Sequence, residues 1–313
     1  NQDLVHQPFG GVVPEIASRN HTLQLLPLID ELFKQTGWSF AQLQGIAVTS
    51  RPGLIGSLLV GVVTAKTLSL IHKIPLIGVN HLEAHLLAPF LRDEEYAPPK
   101  NFTYPYLALA VSGGHTQIYE VLKFGEYKIL GRTVDDAAGE AFDKFAKHLG
   151  LGFPGGVAVD QNARQGQRDK YHFPRTMSHD ESYDYSFSGL KSAASRLLNT
   201  LTEEQKVTER SHLCASFQEA VVDSLMIKLK KAVLEKGFKK VVLTGGVSAN
   251  SRLREVATTW AQNAGIELVI PPLRFCTDNA AMVGLVGVLK LNRGEKSTQE
   301  LSPQASSQAG DFL

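Results

Sequence analysis

Leu76-Ile77-Gly78-Val79-Asn80-His81-Leu82-Glu83-Ala84-His85 is the stretch that decides the fold. Its apolar start reads as a short buried strand, and the end of that strand feeds straight into a helical segment. A strand that opens directly into a helix is the building unit of an α/β fold, and such carboxyl ends are where these folds place ligands. On a helix, His81 and His85 lie about 40° apart on one face, so both imidazoles can point at one ion. Two ordinary histidines share the same spacing. Glu83 sits about 200° around the helix from His81. It therefore does not match the zinc-protease pattern, in which the glutamate directly follows the first histidine.

Upstream, Gly45-Ile46-Ala47-Val48-Thr49 reads as another short buried strand. Residues 14–35 have helical spacing, with Ile16, Leu23, Leu26, Ile29 and Phe33 on an apolar side. Residues 55–72 form a helix rich in small residues. The apolar run Ile55 to Val79 is interrupted by Lys66, His72 and Lys73, and reads as a buried helix and strand rather than a membrane span. The chain opens at Asn1 without methionine and is helical almost at once, so an amino-terminal segment is expected to be missing from it.

Downstream, the polar, proline-bearing stretch Asp93 to Tyr104 is the expected domain boundary. Strands follow at 106–111 and 117–122, then a helix from Asp136 to Leu149, loops at 150–160 and 165–187, and helices at 188–200 and 205–236. Strand 241–244, a further helix, strand 266–270 and a last helix from Asn279 complete the pattern. This order implies two α/β lobes with a ligand cleft between them: 1–104 plus 275–301, and 105–274. The serine- and glutamine-rich tail 302–313 is expected to be mobile.

Composition narrows the function. The chain has 313 residues, 43% of them apolar and 20% charged, which suits two globular domains. Net charge is only +1, so contact with nucleic acid must be a local patch or shared with a partner. Cys214 and Cys276 form no CxxC pair, which fits a reducing cytoplasm.

Other residues could carry chemistry. Thr277-Asp278-Asn279 precedes an apolar helix, and spacing alone favours a helix cap. A carboxylate there would also complete a two-histidine, one-carboxylate site, which suits Fe(II) or Zn(II). Ser112-Gly113-Gly114-His115-Thr116 is a hairpin turn whose glycines would let a phosphate or carboxylate approach backbone N–H groups. Gly245-Gly246-Val247-Ser248-Ala249-Asn250 runs from a strand to a helix start, where anions bind and Asn250 could hydrogen-bond a ribose or base. Capping by Ser248 is the plain alternative. Asp136, Glu140 and Asp143 share a helix face, and Gly155-Gly156 with Asp160 forms a second glycine loop with a carboxylate.

The ordered set Phe9-Gly10-Gly11-Val12-Val13-Pro14-Glu15, His81–His85, Ser112–Thr116, Asp135-Asp136-Ala137-Ala138-Gly139-Glu140-Ala141-Phe142-Asp143-Lys144, Phe187-Ser188-Gly189-Leu190-Lys191, Gly245–Asn250 and Thr277-Asp278-Asn279-Ala280-Ala281 closely resembles the bacterial TsaD proteins, once labelled glycoproteases. The similarity runs from Phe9 to about Leu291. It implies a two-lobed actin/Hsp70/sugar-kinase-like fold. It also implies transfer of threonylcarbamoyl from threonylcarbamoyl-AMP to the exocyclic amine of the adenosine next to the anticodon, in tRNAs reading codons that begin with A. By the same resemblance His81, His85 and Asp278 would bind one divalent metal, Fe(II) first and Zn(II) second. Val111, Ser112, Gly113, Gly114, His115, Asp143, Gly156, Asp160 and Asn250 would hold the adenylate. TsaB-like and TsaE-like proteins would be partners, with no membrane involved. Relatives carry an initial strand and a glutamate-threonine-serine-cysteine loop before the region matching Phe9, a segment absent here. An ATP-dependent kinase of the same superfamily is the alternative, against which the histidine pair argues, because magnesium prefers oxygen ligands. A non-catalytic subunit is a second alternative, and such a subunit could lose the metal ligands that this chain keeps.

Overall fold

The computed structural model describes residues 2–9, 11–178 and 180–306. In chain order the regular elements are α1 (Asp3–His6), α2 (Pro14–Thr36), β1 (Ile46–Arg51), α3 (Ile55–His72), β2 (Leu76–Asn80), α4 (His81–Leu87), β3 (Tyr106–Val111), β4 (Thr116–Lys123), β5 (Glu126–Arg132), α5 (Ala138–His148), α6 (Gly155–Ala163), α7 (Ser188–Thr200), α8 (Glu203–Thr208), α9 (Arg210–Lys236), β6 (Lys240–Thr244), α10 (Ser251–Ala264), β7 (Glu267–Val269), α11 (Leu273–Cys276) and α12 (Ala280–Asn292). They form two compact units, Asn1–Asp93 with Asn279–Leu313, and Glu94–Asp278.

In the first unit β1 and β2 pair in parallel, Ile46 opposite Leu76, with α3 as the crossover that parallel pairing requires. Helix α2 begins on Pro14 at its first turn and stops at Gly37, whose left-handed φ of 68° lets its N–H reach the Phe33 carbonyl. Helix α12 packs against β1, β2 and α4. The chain after it returns to the same unit. Ser297 N–H donates to Leu76 O at 2.7 Å, and Gln304 N–H donates to Ser50 O at 2.9 Å. Of the expected tail, residues 307–313 lie outside those described.

Two helix faces in this unit differ from expectation. Leu23 and Leu26, placed on the buried side of α2 by their spacing, are exposed. Helix α3 buries Leu58, Val62, Ala65 and Ser69, yet exposes Leu59, Val63, Leu70 and Ile71, so it is not the buried helix that its composition suggests. A helix that is apolar all round gives no pattern from which to read its covered side. By length and composition α3, with a mean hydropathy of 1.5, is also apolar enough to cross a membrane.

The second unit is a five-stranded sheet, ordered β5-β4-β3-β6-β7, with β3, β6 and β7 parallel and β4 antiparallel to both of its neighbours. Every residue of Tyr106–Val111 is buried, as a central strand covered on both faces requires. Long α9 runs through the core, where the Phe217 ring stacks on Phe145 with centroids 3.9 Å apart. Its Lys228, 2% exposed, pairs with the Asp180 carboxylate and donates to Ser182 O at 2.8 Å.

Three elements depart from the sequence reading. Strand β5 is an edge strand in which polar residues alternate with apolar ones, so it carries no apolar run to announce it. Residues 150–160 are not all loop, because α6 starts at Gly155 and packs on α5 and α9. Helices α8 and α9 are separate: Glu209 between them accepts hydrogen bonds from Tyr171 Oη at 3.0 Å and Lys170 Nζ at 2.5 Å. No glycine or proline marks that break in the sequence.

Candidate functional site

The first unit contributes a histidine pair. Asn80, the last residue of β2, caps α4 by accepting the Leu82 N–H at 2.9 Å, and this fixes the helix on the strand end. One turn of helix then sets the His81 and His85 rings edge to face, with centroids 4.6 Å apart. Glu83 has a partner on another helix. It is fully buried and forms an ion pair with Lys290 of α12 at 3.4 Å.

Asp278 stands one peptide bond before Asn279, which caps α12 by accepting the Met282 N–H at 2.9 Å. Capping is therefore the work of Asn279, and the Asp278 carboxylate is not the cap. Because α12 packs on α4, the start of this helix carries Asp278 toward the histidines. One ligand atom each from His81, His85 and Asp278 lie within 4.8 Å of one another. Two imidazole nitrogens and a carboxylate oxygen at that spacing can converge on one divalent ion and leave other coordination positions open.

The second unit gathers glycine turns at the carboxyl ends of its parallel strands. After β3, the turn 112–115 is closed by the Ser112 N–H on His115 O at 2.8 Å and by the His115 N–H on Ser112 Oγ at 3.2 Å. Gly113 and Gly114 border open space. Gly139, in the first turn of α5, was not singled out by its sequence. A Cβ there would come within 2.5 Å of Ser112 O, so only glycine lets α5 rest on this turn. After β6, Gly245 adopts φ 87°, ψ 162°, and a Cβ there would lie 2.4 Å from Val111 O. That backbone region is essentially restricted to glycine.

The remaining candidates tie helices together. Asp143 Oδ1 accepts the Gly155 N–H at 2.7 Å at the start of α6. Burial pushes the Asp143 carboxyl above its ordinary value and Glu140 adds to this, while hydrogen bonds from Gly155 and Gly156 oppose the rise. Gly156 has no atom closer to its Cβ position than 3.9 Å. Asp160 Oδ1 accepts from Ser251 Oγ at 2.7 Å and from Ser251 N–H at 3.2 Å, joining α6 to α10. Asn250, rather than Ser248, caps α10. Its Oδ1 accepts the Leu253 N–H at 3.0 Å, its Nδ2 donates to Gln218 Oε1 at 2.8 Å, and Ser248 Oγ donates to Gly245 O at 2.6 Å. The Asn250 amide thus uses one of its two donor hydrogens and one of its two acceptor lone pairs.

Asp135 has a structural task. Its carboxylate accepts from Ser186 Oγ, Ser188 Oγ and the Phe187 and Ser188 N–H groups at the start of α7. Burial alone would raise this carboxyl, but these hydrogen bonds bring it below its ordinary value.

Asn250→Ala is expected to remove the cap and leave Gln218 without its donor, which costs about 1–2 kcal/mol. Asn250→Asp keeps the capping oxygen, loses the amide donor and adds a negative charge. Thermal melting should drop for the alanine variant and much less for the aspartate. Titration with AMP should weaken for both. Unchanged affinity in both would place the nucleotide away from Asn250.

Comparisons with known proteins agree with one another. Residues 1–285 match the family model described as TsaD, tRNA N6-adenosine threonylcarbamoyltransferase. Relatives of that name include one from Bdellovibrio bacteriovorus, 58% identical over 312 residues, covering 100% of this chain and 90% of the relative. Another, from Anaeromyxobacter dehalogenans, is 49% identical and covers 95% and 87%. A third, from Francisella tularensis subsp. mediasiatica, is 47% identical and covers 98% and 90%. Among solved structures, full-length HypF in its phosphate- and nucleotide-bound form shares the fold, with a TM-score of 0.59 at 15% identity. That match covers 90% of this chain and 42% of HypF. The HypF of T. kodakarensis has a TM-score of 0.56 at 14% identity, covering 80% and 41%. The chain is thus a mixed α/β protein of two compact units that shares its fold with HypF. With a family model matched over most of its length and relatives at 47–58% identity, this chain belongs to the TsaD family of tRNA N6-adenosine threonylcarbamoyltransferases.

Proposed function

We propose that the chain takes threonylcarbamoyl from its mixed anhydride with AMP and places it on the N6 amine of the adenosine next to the anticodon, in tRNAs that read codons beginning with A. The donor site is assigned to Val111, Ser112, Gly113, Gly114, His115, Asp143, Gly156, Asp160 and Asn250. The observation that carries this reading is the pair of glycine turns, 112–115 and 245–250, at the carboxyl ends of neighbouring parallel strands β3 and β6. Open strand ends of this kind are where nucleotides bind in α/β sheets.

In the transfer, the adenine amine forms a bond to the carbamoyl carbon, the bond from that carbon to the phosphate oxygen breaks, AMP leaves and the amine gives up one proton. Backbone N–H groups of the turns orient the phosphate and stabilise charge that develops on oxygen. His115 is assigned to binding rather than to proton transfer. His81, His85 and Asp278 are assigned to one divalent ion, Fe(II) by preference and Zn(II) as the second choice. When bound, such an ion supplies electrophilic polarisation of a ligand oxygen.

TsaB-like and TsaE-like proteins are the proposed partners. The apolar side chains exposed on α2 and α3 support a protein partner for the first unit. A cytoplasmic location is supported by the free, buried cysteines Cys214 and Cys276, which fit a reducing compartment. The kinase alternative is not favoured, because the relatives are named as threonylcarbamoyltransferases.

The test is a reconstituted reaction with threonylcarbamoyl-AMP, tRNA and the two partners, read by mass analysis of tRNA nucleosides. Threonylcarbamoyladenosine beside the anticodon is expected. Hydrolysis of the donor without modified tRNA would overturn the reading.

Asp143 offers a separate check. Its raised carboxyl means that the folded protein holds this proton more tightly than the unfolded chain does. Its contribution to stability therefore grows as pH falls through the folded value, and the charged form is a cost at neutral pH. Asp143→Asn is expected to melt no lower than the parent at pH 7, yet to bind AMP more weakly. A lower melting point with unchanged AMP binding would make Asp143 purely structural.

A further inference from the structure

Helices α5 and α7 of the second unit pack side by side and leave an open depression of about 530 Å³, lined by Lys144 and His148 from α5 and by Lys191, Ser192, Ser195 and Arg196 from α7. Lys144 and His148 are one turn apart, as are Lys191 with Ser195 and Ser192 with Arg196, so each helix presents a row toward the same space. No carboxylate lines it. Lys144, Lys191 and Arg196 thus stand together around one depression in a chain whose net charge is only +1.

Simpler explanations account for part of the patch. Lys147 and His148 lie in the last turn of α5, where cations offset the helix dipole. Lys144 pairs with Glu140 at 2.6 Å and with Asp136 at 3.1 Å, and Lys191 pairs with the same Asp136 carboxylate. Two features remain. Lys191 lies in the first turn of α7, where the helix dipole disfavours a cation. Arg196 is exposed and has no ion pair among the described residues.

We propose that this depression seats the phosphodiester backbone of the tRNA substrate. The inference rests on the family's tRNA substrate and goes beyond it, because it assigns a surface that the donor and metal sites do not include. Lys144 and Lys191 are held in place by Asp136, and Arg196 supplies a planar guanidinium suited to phosphate oxygens. The Ser192 and Ser195 hydroxyls donate to the same kind of acceptor. Contacts of this type position the nucleic acid and carry no sequence information. The depression would therefore hold the tRNA body while the adenosine is selected elsewhere.

The test uses the full chain with its partners, and compares Arg196→Glu and Ser195→Glu with Lys147→Glu, a charge reversal on α5 outside the depression. Expected for the first two is a rise of roughly tenfold in KM for tRNA with kcat unchanged at saturating tRNA. The slope of log affinity against log salt should fall by about one. AMP binding and melting temperature should match the parent, and Lys147→Glu should change KM less than twofold. Arg196→Lys should recover most of the affinity. Equal effects of Arg196→Glu and Lys147→Glu would reduce the patch to a general field and overturn the proposal. So would an unchanged KM, or a loss confined to binding of inorganic phosphate or AMP. A parent enzyme that fails to modify tRNA would instead count against the proposed function, and is separable from these outcomes.

Discussion

Asp278→Ala is expected to empty the metal site and lower transfer at least about a hundredfold while leaving the fold unharmed. Even residues that only orient metal ligands cost about 10–100-fold when removed, so a ligand should cost no less. The prediction is sharp because Asp278 is exposed and the start of α12 is capped by Asn279. Melting of the metal-free protein should therefore match that of the metal-free parent. His81→Ala and His85→Ala should lose metal as well. His85 is 1% exposed, so its removal also leaves a cavity and lowers stability. Glu83→Gln should keep the metal, because Glu83 pairs with Lys290 and the ligand atoms that converge are those of His81, His85 and Asp278. Glu83→Ala should cost about 2 kcal/mol through the loss of that buried partner. Metal stoichiometry, melting and activity on these variants decide the matter, with chelator-treated parent as the reference. Equal metal loss in Glu83→Gln and His81→Ala would contradict the assignment, and so would unchanged metal content in Asp278→Ala.

Gly245→Ala should be the most damaging small substitution in the second unit. The added methyl would sit 2.4 Å from Val111 O and 2.7 Å from Val111 C, at a backbone conformation of φ 87°, ψ 162°. Strain at such a position and displacement of a buried strand end together suggest a loss of roughly 3 kcal/mol. For a unit of this size that lowers the melting temperature by roughly 6–12 °C. AMP affinity should fall with it, because Val111 leads into the 112–115 turn. Gly246→Ala is the control. Its Cβ would meet nothing within 4 Å and its φ is not positive, so it should stay within about 1 kcal/mol of the parent. Equal melting points for the two variants would remove Gly245 from the argument.

Much of this molecule is legible in its residue pattern. The helix read over 55–72 and the strand over 106–111 have those bounds in the structure, because their signals are long and uninterrupted. Edge strand β5 and helix α6 were not legible. The first has no apolar run, and the second starts with two glycines whose helical state is set by packing on α5 and α9. The site was legible to a different degree. Spacing placed His81 and His85 on one helix face, but it could not tell whether Asp278 or Asn279 caps α12, because adjacent residues share every local signal. Only the hydrogen bond from Met282 N–H to Asn279 decides that. Gly139 carries no local signal of its role, because the atoms that require it to be glycine, at Ser112 and Gly113, are distant in sequence. In a helical segment a lone glycine reads as a mild flaw, although here it is a contact surface.

The way the chain returns to the first unit has a consequence for its synthesis. Gly78 N–H donates to Ser297 Oγ, a partner 219 residues later, and Leu76 O receives the Ser297 N–H. The second unit is one continuous segment, Glu94–Asp278, and is complete before Ser297 is made. On a ribosome adding about 5–20 residues per second, the β2 strand waits roughly 10–45 s for that partner. The later segment can thus reach its native form while the earlier one is still unfinished. Throughout that interval the nascent first unit, with its apolar α3, is the part most in need of chaperone cover.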